Sequence, residues 1–155
     1  MRTVRRLVVV MVALALAGVT VAMAQEHGTK DEAVAMVNAA VDHAKKVGSE
    51  QAFKDFSTDK AHWVKKDLYV IAFDMQGNMK AHGANEKLIG KNHMDMKDAN
   101  GVFFTAEQAK VVQSKGEGWV TYLWPHPQTN KLATKSTYAK KLPNYDGWVA
   151  VGIYP

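Results

Sequence analysis

At 155 residues the chain is long enough for one hydrophobic core and too short for two ordinary ones. Hydrophobic residues make up 47% of it, which excludes the disordered class, whose apolar surface is too small to offset chain entropy. Twenty Lys and Arg stand against 15 Asp and Glu for a net charge of +5, with no cysteine, so thiol nucleophiles, C-x-x-C-H haem attachment and thiolate zinc sites are excluded.

The charge is unevenly placed. Residues 1–6 carry Arg2, Arg5 and Arg6 and no acid, and residues 7–21 are apolar apart from Gly18 and Thr20. Ala22-Met23-Ala24 then puts small residues at the two positions a signal peptidase reads. This is the pattern of a secretory signal peptide cleaved after Ala24, which leaves residues 25–155 as a periplasmic or secreted domain. A retained membrane anchor is the rival reading. The apolar run of about 15–18 residues falls short of the roughly 20 needed to span a bilayer, and the A-x-A site favours cleavage. Cleavage takes away three of the 20 basic residues and none of the 15 acids, so 17 and 15 remain and the net charge falls to +2. The pairs Lys45-Lys46, Lys65-Lys66 and Lys140-Lys141 are isolated and read as solvated faces, so the mature chain has no basic block dense enough for nucleic acid.

Thr29-Lys30-Asp31-Glu32 has the capping-box form. Val34, Val37, Val41 and Ala44 follow on one stripe, which predicts a helix over 30–47 that Gly48 stops. Ser49 starts a second short helix carrying Phe53 and Phe56. Residues 69–73 are rich in β-formers and read as a strand; residues 74–78 turn, and 79–82 pair back as a hairpin. Residues 83–101 show no periodicity and contain Gly83, Gly90 and Gly101, so they read as a long ordered loop with a short helical turn, of the kind that often carries function. Thr105-Ala106-Glu107-Gln108 is a second capping-box form, opening a helix that carries Ala109 and Val112 and ends near Gly116. Strands are predicted over 119–124, 131–141 and 148–154, separated by turns at 125–130 and 143–147. Strands beside segregated helices make the fold class α+β.

The ordered set of motifs resembles the single Cache domain (type 2) family. It runs through Tyr69-x-x-x-x-Asp74-x-x-Gly77, His82, Leu88-Ile89-Gly90-Lys91-Asn92 and Asp98-x-Asn100-Gly101. It continues with Gly116-x-Gly118-Trp119-Val120-x-Tyr122-x-Trp124-Pro125, Lys135-x-x-Tyr138 and Gly147-Trp148-x-x-x-Gly152-Ile153-Tyr154. The resemblance covers about residues 31–154. It implies a long N-terminal helix packed on a PAS-like antiparallel sheet, with a pocket between the sheet and the loop before the later helix. It further implies an extracytoplasmic sensor module, several relatives of which bind small carboxylates. Family sensors usually continue into a transmembrane helix and a signalling module. This sequence ends at Pro155, so the expectation is a free-standing soluble form that works with a separate membrane sensor or as a homodimer through helix 30–47.

A small carboxylate in a half-buried pocket loses water and needs charge-assisted donors in return. Lys135 aligns with the family's pocket-facing lysine and is expected to supply the charge. Tyr138 lies three residues on, so on a strand it points to the opposite face unless a bulge intervenes. Tyr122 and Trp124 share a face and would supply a phenol donor and an apolar wall. His82 is a further donor, and Tyr69 and Trp119 are further walls. The competing reading makes these aromatics plain core and Lys135 a surface lysine. His82, His93 and His126 show no helical i, i+4 pair and no accompanying carboxylate in a known zinc pattern, so no metal is expected. Asp98-Ala99-Asn100-Gly101 fails as a calcium loop because Met96 would fill its first position. Ser136 and Thr137 flank Lys135 without an S-x-x-K, G-x-S-x-G or paired-acid pattern. The expectation is a non-catalytic, cofactor-free binding module for a small organic acid; a ligand-free interaction protein is the alternative.

Overall fold

A computed structural model describes residues 26–155, and the expected signal segment lies outside the described residues. The elements run α1 (Lys30–Val47), α2 (Ser49–Thr58), α3 (Lys60–Trp63), β1 (Val64–Lys65), β2 (Leu68–Asp74), β3 (Met79–His82), a 3-10 turn (Glu86–Leu88), α4 (Phe104–Lys115), β4 (Glu117–Pro125), β5 (Leu132–Lys141) and β6 (Gly147–Ile153). The α+β class and the helix-on-antiparallel-sheet arrangement are as expected.

The predicted capping box opens α1. Thr29 Oγ1 accepts from the Glu32 backbone N–H at 3.2 Å, and a Glu32 carboxylate oxygen accepts from the Thr29 N–H at 2.9 Å. Ala33, Val37, Ala40, Val41 and Ala44 form its buried stripe, while Val34 sits at the margin. Gly48, at φ 85, ends α1 and lets α2 begin at once; that left-handed conformation favours glycine.

The sheet order is β1-β2-β6-β5-β4, with β1 and β3 sharing the other edge of β2, and every pairing is antiparallel. Both faces of the sheet are covered, so β2 and β6 are buried at every residue. On one face Val70, Ala72, Val149 and Val151 pack with Val37, Val41, Phe53 and Phe56 of α1 and α2. On the other, Tyr69, Ile71, Phe73, Trp148 and Ala150 pack with Ala109 and Val112 of α4.

One local expectation is corrected, and one connection is added. The 105–108 motif does not cap α4: the helix starts at Phe104 without a side-chain cap bond, and Thr105 is fully buried with no partner for its hydroxyl. Drawing Phe104 into the first turn lets its ring stack on Tyr122 at 4.6 Å, and that burial moves the helix start past the polar signal. The α3–β1 connection was also unforeseen. Trp63 closes on Phe56 at 4.7 Å, and β1 turns into β2 through Lys66 at φ 60. The Lys66 ammonium is tied to Glu32 at 2.9 Å.

Candidate functional site

Residues on one face of a strand alternate with those on the other, so Lys135, Thr137 and Ala139 of β5 face α4 while Tyr138 faces α1. Tyr122 of β4 is the direct cross-strand partner of Lys135. The lysine stem crosses the neighbouring strand β6 at Gly152, where any Cβ would run into the stem and into Thr137. A glycine inside a strand marks such a close approach. Beyond β6 the Lys135 ammonium donates to the Tyr69 hydroxyl at 2.8 Å and lies 4.3 Å from the centre of the Tyr69 ring. The Tyr69 hydroxyl also meets the Tyr154 hydroxyl at 3.3 Å.

Lys135 is 1% exposed. Burial away from water disfavours its charged form and pulls its pKa down to about 7, opposed weakly by the negative charge of Asp67. Among the described residues no carboxylate lies within ion-pair distance of its nitrogen. Buried charges are ordinarily paired, so this amine is an exception in need of a partner.

A small cavity adjoins the amine, walled by Ile71, Phe73, Met79, Phe104 and Trp124, with Lys135, His82, His93, Gln108 and Tyr122 as its polar lining. No acid is among these residues. His82 Nδ1 accepts from the Ala84 and Asn85 backbone N–H groups at 3.2 and 2.8 Å, which places the proton of the neutral ring on Nε2 as a donor. Burial, then the Lys135 charge, keeps that ring neutral, with its pKa down to about 3. The Tyr122 hydroxyl accepts from Thr137 at 3.0 Å, so its own proton is available, and burial pushes its pKa up. Gln108 uses its oxygen on the Trp148 indole N–H at 3.1 Å, while its amide nitrogen, near the Tyr122 hydroxyl, makes no well-formed hydrogen bond. Fully buried His93 lies against the Leu88 backbone, with neither ring nitrogen in a well-formed hydrogen bond. The lining is therefore rich in donors and poor in acceptors.

The cavity is small, about 10 Å³, room for about one water. On the outer side of His82 and Trp124 lies a cleft of about 300 Å³ that Tyr69, Asn85, Leu88, Pro125 and Asn130 help to line. His82 and Trp124 are thus the shared wall between the inner space and solvent.

Of the seven residues named from sequence, Lys135, Tyr122, Trp124, His82 and Tyr69 gather here. Trp119 and Tyr138 do not: they meet each other at 5.3 Å and belong to the α1-facing cluster. The bulge that would have brought Tyr138 round is absent from the continuous β4–β5 register. Sequence reasoning did not assign His93, Gln108 or Phe104 to the lining, and it gave Gly152 no role. A glycine inside the strand that pairs with the lysine's own was the available signal.

The single Cache domain 2 family matches residues 6–155 of this chain. The chain belongs to that family. A methyl-accepting chemotaxis protein from Vibrio parahaemolyticus is 32% identical with a TM-score of 0.70, over 81% of this chain and 87% of that one. A Cache chemosensory domain described for carboxylic acid recognition is 24% identical, with a TM-score of 0.68 over 80% and 91%. The periplasmic sensor domain of a chemotaxis protein is 22% identical, with a TM-score of 0.64 over 80% and 88%; these last two likenesses speak for the fold. Cache domains are sensory ligand-binding modules. Among the described residues of this Cache domain, no helix is long and apolar enough to cross a membrane.

Proposed function

We propose that this Cache domain is an exported, non-catalytic binding or sensing module for a small organic acid, whose carboxylate takes the Lys135 ammonium as its counter-ion. The signal segment ending at Ala24 would place it outside the cytoplasm. The observation that carries the reading is a fully buried amine without a carboxylate partner, set in a cavity whose other polar groups offer mostly donors. His82 Nε2, the Tyr122 hydroxyl and the Gln108 amide would complete the shell, and Tyr69 and Trp124 would wall it. Charge-assisted bonds from such donors replace the water an acid gives up. Because the closed cavity holds about one water, the ligand enters by displacement of the His82–Trp124 wall.

A thermal-shift panel of acetate, propionate, pyruvate and lactate tests this. An acid present at 100 times its dissociation constant adds about 2.7 kcal/mol, and Lys135→Met should remove that gain.

A second reading rests on the small size of the same cavity. The Phe104 ring on Tyr122 fills much of the space a ligand would need, which fits a protein that keeps the fold and docks on a membrane sensor or another exported partner instead. It prevails if none of the four acids stabilises the wild-type protein.

A further inference from the structure

We propose a second site, a divalent transition-metal site formed by His27, Asp67 and His126. It does not depend on the ligand reading. The three residues come from separate segments: His27 precedes α1, Asp67 lies in the β1–β2 turn, and His126 follows β4. One ligand atom from each lies within 4.8 Å of the other two. His27 Nδ1 is 2.8 Å and His126 Nε2 is 3.4 Å from the same carboxylate oxygen of Asp67. Tetrahedral bonds of 2.0–2.1 Å space ligand atoms about 3.3 Å apart, so shifts of under an ångström would close the set on an ion.

Three further features favour an ion over a plain hydrogen-bonded clamp. The Asp67 side chain is wholly buried, yet among the described residues no lysine lies within ion-pair distance of it; adjacent Lys66 goes to Glu32 instead. Its second oxygen is held by the Gly28 backbone N–H at 2.7 Å, which orients the first toward the imidazoles. His126 is 5% exposed, and its Nε2, 3.4 Å from the carboxylate, makes no hydrogen bond. A cation between the rings would satisfy that nitrogen and balance the buried carboxylate.

The two rings stand nearly perpendicular, at 82°, so they approach the carboxylate from different directions. The His27 side chain is half exposed, which leaves a fourth position to water. Two imidazoles and one carboxylate suit zinc and its first-row neighbours, whereas magnesium and calcium prefer all-oxygen shells. Binding would move the imidazole proton of His126 to Nδ1, and the 3.2 Å contact from the Gln128 N–H would give way in an exposed turn. The bound ion would fasten the start of α1 to two turns at one end of the sheet.

Protein purified without an affinity tag, stripped with chelator and titrated with zinc by calorimetry tests the proposal. One zinc should bind per chain, at least tenfold more weakly after either His27→Ala or His126→Ala, and unchanged after His62→Ala at the exposed His62–Asp59 pair. Cobalt should give the visible bands of a four-coordinate ion. If buried His126→Ala does not fold, half-exposed His27→Ala decides. No stoichiometric binding, or binding that survives His27→Ala, overturns the proposal.

Discussion

The two faces of the sheet are built to different rules. The face under α1 and α2 is a dry core of valines, alanines and aromatic rings. The face under α4 and the 83–103 segment contains a buried lysine, two buried histidines and a buried glutamine, several of them incompletely bonded. Both are buried, yet only the first minimises the free energy of the folded chain. Unpaired polar groups in a low-dielectric interior are costly, so the second face retains chemistry at the expense of stability. Removing the buried charge of the second face should therefore have the opposite signature to removing a ring from the first.

The largest loss belongs to the first face. Phe56→Ala, at a fully buried ring, should cost about 3–5 kcal/mol in denaturant melts. Lys135→Met should do the reverse and stabilise the unliganded protein, because methionine carries no charge to desolvate, while binding of the acid is lost. A lysine that served stability would give the opposite sign in the same melts. Gly152→Val is next: valine suits a strand, but its Cβ takes the space of the Lys135 stem. Overpacking of this kind costs about 1–3 kcal/mol, and acid binding should fall with it. Tyr122→Phe removes one hydroxyl and its bond from Thr137, for about 0.5–1.5 kcal/mol, measured by melting and by titration with the acid.

The smallest effect is at the sheet's outer boundary with α1. Lys66 and the Thr29 cap bonds hold the Glu32 carboxyl pKa down to about 2 from 4.5. A lowered carboxyl pKa contributes stability that is complete above the unfolded value and is lost as pH falls through the folded one. The wild-type melting temperature should therefore decline between about pH 4.5 and pH 2, and Glu32→Gln should flatten that limb. An unchanged limb would leave the cap without electrostatic weight.

What was legible in the sequence follows the same division. The first face is local: the Thr29 cap, the α1 stripe and the β-rich 69–73 segment each declare themselves within a few residues. Parity alone foretold that Lys135 and Tyr138 would part, and they do. The second face depends on contacts between distant segments. His93 and Gln108 become cavity lining only because the 83–103 segment and α4 fold over β2, and neither carries a local signal of that. Phe104 overrode the polar cap at 105–108 because stacking on Tyr122 requires pairing that no local window reveals. His27, Asp67 and His126 fit no spacing rule, since His27 and Asp67 alone lie 40 residues apart.

The decisive measurement is the proton balance of acid binding. With the Lys135 amine near pKa 7 when unliganded, most of it is neutral at pH 8, and an anion that binds only the charged form must recruit a proton. Titrating the most stabilising acid of the panel at pH 8, in buffers of different ionisation enthalpy, should reveal uptake approaching one proton per ligand, with affinity falling about tenfold per unit as pH rises further. Binding with no proton uptake, or with equal strength in Lys135→Met, would contradict the account.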